Sequence, residues 1–380
     1  MVLHATLRPE SLLPQASSSL DPRLALLAGK WFLSSGILEA NGGVARYYHS
    51  DTQRNARIST EITGYAVSTL VFLYERTADP EFLEAAVRAG QFLTGTAWSP
   101  SLRTFPFEHA QNGDAPQPLT YFFDCGIIVR GVLALWRVTG APEYLNIAVQ
   151  TGESMMSDFA AGSGINDTWH PILELPGKYP LPWAAQWSRQ PGCYQLKSAL
   201  GWNDLHLATG DDKFARFYEL AVRKTLAIKD EFLPAETREG TMDRLHAYCY
   251  FLEALVTDSA AHNVREVIAE GILRVSSYLR EIRSEFERSD VNAQLLRVRL
   301  LAAANLGLPL NEREAAEEAS AIEEFQVEMP NSSHHGGFWF GRKDGVMMPY
   351  INPVSTAFCL QAYEWWQDHL LGKRIQQAVI

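Results

Sequence analysis

Residues 122–158, FFDCGIIVRGVLALWRVTGAPEYLNIAVQTGESMMSD, hold two apolar-periodic runs on either side of the link Thr139-Gly140-Ala141-Pro142. Apolar side chains return every three or four residues in both runs, the spacing that lines one face of a helix. Glycine stops the first helix because it takes the left-handed conformation without steric cost, and proline opens the second where a backbone N–H has no partner to lose. A link this short turns the chain straight back, so the stretch predicts an antiparallel helical hairpin with a strongly apolar first helix, IIVRGVLALW at its centre.

The same unit recurs along the chain. Twelve helical segments are expected, beginning near Leu20, Thr60, Glu81, Phe122, Glu143, Cys193, Asp212, Thr241, Asn263, Asp290, Asn311 and Pro353. Short links such as Thr77-Ala78-Asp79-Pro80 and Thr209-Gly210-Asp211-Asp212 alternate with long ones: 39–59, 99–121, 160–192, 230–240 and 327–352, with only the link near Glu285 brief. Hairpins return the chain to one end each time, so the long loops must gather on one face. Helices after long loops form the more apolar set and are expected inside. Those after short links, such as DDKFARFYELAVRKTL, keep a charged side for solvent and are expected outside. The predicted fold class is all-α, an (α/α)6 toroid of six hairpins in two rings, with a domain over 20–372, an extension over 1–19 and a tail over 373–380.

Composition sets the outer bounds. The chain has 380 residues, 47% hydrophobic and 20% charged, enough apolar content for a sizeable core. A net charge of −11 leaves no basic face for a phosphate backbone, so nucleic acid is not expected as a partner. No stretch approaches about 18 uncharged apolar residues and the N-terminus lacks the pattern of a secretory signal, so a cytoplasmic protein without a membrane partner is expected. Cys125, Cys193, Cys249 and Cys359 show no metal-ligand spacing; they read as buried thiols, and neither metal nor cofactor is expected. The oligomeric state is not legible.

The chain resembles the six-hairpin glycosidase-like (α/α)6 toroids, with unsaturated glucuronyl hydrolases and the N-acylglucosamine 2-epimerase type as relatives in shape. The hairpin rhythm from about Leu20 to Leu370 carries the resemblance, with Ser59-Thr60-Glu61-Ile62-Thr63-Gly64-Tyr65, Phe123-Asp124-Cys125-Gly126, and Gly336-Gly337-Phe338-Trp339-Phe340-Gly341 before Asn352-Pro353. It implies a saccharide substrate. The shape also hosts lyases, epimerases and terpenoid cyclases, so reaction type must come from the site.

Polar residues in the first turns of the inner helices should face the pocket that the long loops enclose. Glu61 and Asp124 open neighbouring inner helices beside aromatic residues, a setting that raises a carboxyl pKa toward that of a general acid. Asp243 and Asp290 open the fourth and fifth, where helix capping is the alternative reading. His246, three residues after Asp243, is a candidate base or a hydrogen-bonded core histidine. Paired carboxylates are what glycosidic cleavage requires, so a glycoside hydrolase is the leading expectation; a sugar epimerase or uronate lyase using His246, a loop histidine or Tyr248 as base, and a noncatalytic toroid that binds saccharide or a partner protein, are the alternatives.

Substrate contacts are expected from Tyr65, Arg57, Trp98, Tyr121, Trp187, Arg189, Lys197, Arg244, Gln294, His335, Trp339 and Asn352. Aromatic rings in the long loops, including Trp169 and Trp183, suit the apolar faces of sugars, although part of them must pack the loops onto the rings. The arginines of those loops suggest a uronate, since guanidinium matches carboxylate. Asp211-Asp212 falls on the far end and reads as a helix cap. Gly42-Gly43 and Gly336-Gly337 follow no strand and are not phosphate loops.

Overall fold

The structure, a computed structural model, describes residues 23–109, 118–160, 169–182, 184, 186–257, 264–330, 332–375 and 379–380. The extension 1–19, the expected starts at Leu20 and Asn263, and Trp183 lie outside the described residues.

Among the described residues twelve α-helices form: α1 (Arg23–Ser34), α2 (Thr60–Thr77), α3 (Pro80–Gln91), α4 (Phe122–Thr139), α5 (Pro142–Asp158), α6 (Leu196–Thr209), α7 (Asp212–Ile228), α8 (Arg238–Thr257), α9 (Arg265–Ile282), α10 (Ser289–Leu306), α11 (Glu312–Glu323) and α12 (Pro353–Leu370). The even-numbered helices pack side by side in order, and α12 closes the ring against α2. The odd-numbered helices back them from outside, α1 pairing with α12. One continuous apolar cluster, from Leu24 to Ile380, fills the space between the two rings.

The predicted links form for the predicted reasons. Gly140 and Gly210 end α4 and α6 at φ of 70° and 72°. Pro80 and Pro142 occupy the first turns of α3 and α5, and Asp79 and Asp211 cap α3 and α7 by accepting the N–H of Glu81 and Lys213 at 3.0 and 2.9 Å. Inside the ring, glycines let backbones touch. A Cβ on Gly126 would fall 2.3 Å from the Ser198 carbonyl oxygen, and one on Gly131 would fall 2.5 Å from that of Gly64. Gly126→Ala should therefore force α4 and α6 apart and cost about 1–3 kcal/mol, read as a lower urea midpoint with an unchanged slope.

The all-α expectation omitted one feature. Among the described residues, the long loops carry three small antiparallel sheets built from β1 (Tyr48–His49), β2 (Arg54–Asn55), β3 (Leu119–Tyr121), β4 (Ile172–Glu174), β5 (Tyr179–Pro180), β6 (Phe286–Arg288), β7 (Gly341–Lys343), β8 (Val346–Met347) and β9 (Tyr350–Ile351), ordered β2-β1-β9, β3-β4-β5 and β6-β7-β8. Strands of two or three residues are too short to show an alternating pattern. β1 joins β9 by pairing Tyr48 with Ile351, and β6 joins β7 by pairing Phe286 with Lys343, so the sheets tie loops of different hairpins into one wall.

Beneath the loop face, the ring interior holds a buried ion cluster. Lys197, Glu253 and Arg297 are wholly buried. Glu253 accepts Lys197 Nζ at 3.0 Å and pairs with the Arg297 guanidinium, which also donates to Gln361 Oε1 at 2.9 Å. Val379 and Ile380, from the expected tail, fold back beneath the ring. Their carbonyl oxygens accept Arg130 Nη2 and Lys197 Nζ, each at 2.9 Å.

Candidate active site

On the face that gathers the long loops, a pocket of about 440 Å³ opens over the N-terminal ends of the inner helices. Four of the five expected catalytic residues, Glu61, Asp124, His246 and Asp290, line it. A larger cavity of about 580 Å³ lies between α1, α2 and α12, but its Glu364 and Asp368 are both paired with Arg76.

Ser59 caps α2 and accepts the Ile62 N–H, which sets Glu61 in the first turn facing the pocket. Asp124 sits in the matching turn of α4 after β3, whose pairing with β4 fixes the entry angle. Glu61 keeps part of its surface open to the pocket, whereas Asp124 is 5% exposed. Asp124 Oδ2 is buried with no hydrogen-bond partner among the described residues. Burial pushes Glu61 up to about 7 against the nearby Arg46 guanidinium. It pushes Asp124 well above the usual carboxylate range, and the charge of Glu61 adds to that shift. Burying two carboxyls together disfavours ionising both, so the pair holds a proton at neutral pH.

The opposite wall is organised around Arg288, which sequence reasoning missed. It sits at the end of β6, donates to both Asp290 oxygens at 2.9 and 2.7 Å, and lies over the Phe340 ring at 4.4 Å. Burial alone would raise Asp290, but Arg288 and then His246 hold its carboxyl below the ordinary range. His246 Nδ1 meets Gln294 Oε1 at 2.7 Å and Asp290 Oδ2 at 3.4 Å. With two oxygens converging on it, Nδ1 carries the proton and Nε2 keeps its lone pair. Burial lowers His246 to about 4, outweighing the attraction of Asp290, so the ring is a neutral base.

The remaining expected residues divide by position. Tyr121, Trp187, Arg189 and Asn352 line the pocket, Asn352 also capping α12 through Val354 and Ser355. Arg189 lies beside the Tyr121 hydroxyl, and its buried Nε has no hydrogen-bond partner among the described residues. Gln294 stands behind His246, and Tyr65 lies buried edge-on to Phe358.

The others do not line the pocket. Asp243 binds Arg288 Nη1 at 2.9 Å, because α8 begins a turn earlier than expected and carries Asp243 past the first turn. Arg57 pairs with Glu108, Arg244 donates to the Phe232 carbonyl, His335 meets the Val327 carbonyl, and Lys197 belongs to the ion cluster below. Trp98 packs on Phe105 and Trp339 on the core, as Trp169 does by stacking on Phe122. These rings hold loops down. Arg46, Phe107, Phe123, Tyr194, Tyr250 and Phe340 also line the pocket. Phe123 is the second residue of α4 and Tyr250 lies more than three turns into α8; the available signal was their place in apolar inner helices, which core packing explains equally well.

No protein-family model and no curated protein sequence matches the chain. Solved structures do. A sugar epimerase from a ruminal bacterium superposes with a TM-score of 0.67 at 12% identity, covering 91% of this chain and 96% of that one. A D-mannose isomerase gives 0.69 at 9% identity over 91% and 97%. Unsaturated glucuronyl hydrolase from Bacillus sp. GL1 gives 0.62 at 13% identity over 91% and 97%. The chain shares with these structures the (α/α)6 toroid fold of six-hairpin proteins.

Proposed function

We propose that this protein is a carbohydrate-active enzyme, a glycoside hydrolase that works with Asp124 as general acid and Glu61 as the partner carboxylate. The buried Asp124 carboxyl carries the proposal, because the charge of a second carboxyl acts on it and it offers an oxygen that no described residue satisfies. Asp124 holds its proton more strongly and gives it to the glycosidic oxygen as the bond to the anomeric carbon breaks. Glu61, more open and facing Arg46, ionises first and either takes a proton from the attacking water or attacks the carbon itself.

Phe107, Tyr121, Trp187 and Phe340 supply aromatic surface for sugar rings. A uronate is the favoured unit. Arg46 and Arg189 face the space, and the positive ends of the inner helix dipoles converge there. Arg189→Ala is expected to raise KM for a uronate-bearing oligosaccharide about tenfold or more while sparing kcat, in keeping with the loss of a charge-assisted hydrogen bond.

A second reading has its own support. The oriented, neutral His246 suits removal of a proton next to a carbonyl or carboxylate, the step of an epimerase or uronate lyase. A proton NMR time course in deuterated buffer, run against neutral and uronate oligosaccharides, separates the two. Reducing-end anomeric signals support the hydrolase. Vinylic signals, or deuterium at a ring carbon, overturn it in favour of His246 chemistry. Line broadening without product across the panel would leave a saccharide-binding toroid.

A further inference from the structure

Three short segments lie side by side across the start of α2. Arg46 N donates to the Arg57 carbonyl at 3.0 Å, His109 N to the Ile58 carbonyl at 3.0 Å, and Thr60 N to the Phe107 carbonyl at 3.2 Å, while Thr60 Oγ1 reaches the Pro106 carbonyl at 2.6 Å. This strap brings Glu108 between two guanidinium groups: Oε1 meets Arg46 Nη1 at 3.4 Å, and Oε2 meets Arg57 Nη1 at 3.2 Å. The Arg46 guanidinium also lies over the Phe107 ring at 5.3 Å. Glu108 is mostly covered, with 13% of its side chain exposed, whereas Arg46 is 48% exposed at the pocket rim.

The pocket contains two other arginines, and neither takes this role. Arg288 is locked by Asp290 and Asp243, and Arg189 lies beside Tyr121. Arg46 is the arginine whose charge is felt by both Glu61 and Asp124. A long, half-exposed arginine has many rotamers, and a covered carboxylate with an aromatic face below it selects among them.

We propose that Glu108 is a positioning residue, fixing Arg46 at the rim so that its guanidinium sets the charge state of the Glu61–Asp124 pair from a distance instead of collapsing onto it. The proposal rests on the reading of that pair as the acid and its partner. The other ionisable groups around Glu61 are Asp124 from α4, Tyr65 on α2 itself, Tyr194 just before α6, His246 and Tyr250 from α8, Arg288 with Asp290 at α10, and Tyr121 with Arg189 from the loops. None of them is held by Glu108.

The two partners should act in opposite directions. Arg46→Met removes a cation and raises the Glu61 titration midpoint. Glu108→Gln removes the counter-charge, lets Arg46 turn inward, and lowers that midpoint by about 0.5–1 unit, the scale of a single nearby charge at a partly open site. If Glu108 acts through Arg46, Glu108→Gln adds nothing in the Arg46→Met background. The measurement is a carbon-13 NMR titration of the labelled Glu61 carboxyl in the full chain, assigned by Glu61→Gln, with the acid limb of the rate profile recorded alongside. Shifts of opposite sign that vanish in the double variant support the proposal. Shifts of the same sign, no shift, or an undiminished effect of Glu108→Gln without Arg46 overturn it. Should the NMR midpoints move as expected while the rate profile stays fixed, the positioning role stands and the catalytic reading of the pair fails.

Discussion

Asp124→Asn should lower kcat by about 10²–10⁴-fold, the usual contribution of a positioned general acid, with substrate affinity nearly unchanged. Asparagine keeps the shape and the hydrogen-bonding capacity but has no proton to give to a leaving oxygen. Because the native carboxyl is buried with one oxygen unpartnered, the amide should not lower the melting temperature. Loss of turnover therefore cannot be attributed to unfolding. Glu61→Gln should be comparably damaging and should also change the pH profile. In the proposed mechanism the productive state has Asp124 protonated and Glu61 ionised. It fills as pH rises through about 7, where Glu61 loses its proton, and it empties at higher pH when Asp124 follows. The acid limb of kcat/KM should accordingly lie near neutrality, well above an ordinary carboxylate, and disappear in Glu61→Gln. A fully active Asp124→Asn, Glu61→Gln double variant would sink the assignment.

The largest stability effect is expected in the ion cluster beneath the pocket, not in the pocket itself. Glu253→Ala leaves Lys197 and Arg297 buried without their shared carboxylate, and breaking one side of a buried ion pair costs about 3–5 kcal/mol. Burial already pushes Lys197 down to about 7 even with Glu253 present, so the variant lysine should sit neutral while Arg297 stays charged and unmatched. The discriminating comparison is the triple variant Lys197→Met, Glu253→Leu, Arg297→Met. It removes the charges together and should recover much of the loss in urea unfolding, because no uncompensated ion remains. A triple variant as unstable as Glu253→Ala would mean that the cluster's hydrogen bonds to Gln361 and Ile380, and not charge balance, hold this part of the ring.

The ring was legible because helical hairpins advertise themselves locally: a glycine or αL residue, a cap and a proline in four residues fix a turn wherever the rest of the chain lies. The pocket's position followed from the alternation of link lengths, which made Glu61, Asp124, His246 and Asp290 readable as neighbours. Side-chain partners were not readable. Arg57, Lys197 and Arg244 look like ligand-binding cations in sequence, yet each meets a carboxylate or carbonyl supplied from elsewhere in the fold: Glu108, Glu253 and Phe232. Arg288 escaped notice for the converse reason. Its bidentate partner Asp290 lies two positions on, but the contacts that make it the centre of a wall come from Asp243, 45 positions away, and from the Phe340 ring. Asp243 itself was misplaced by the one turn that Arg238–Gly240 adds to the start of α8.

The closure of α12 onto α1 and α2 bears on how the molecule acquires its shape. Gln326 Nε2 donates to the Leu24 carbonyl across 302 positions, and Arg76 reaches Asp368 across 292. Contacts of such separation form late, because the intervening chain must be ordered before they contribute. Until they form, α2 and α10 each present an uncovered apolar flank, and Asn352 and Val354 are missing from a wall that begins at Arg46. A bound saccharide would then recognise only the finished circle and favour it by mass action. Substrate present during refolding should speed nothing in the early hairpins, but it should draw late, half-closed rings to completion and away from aggregation.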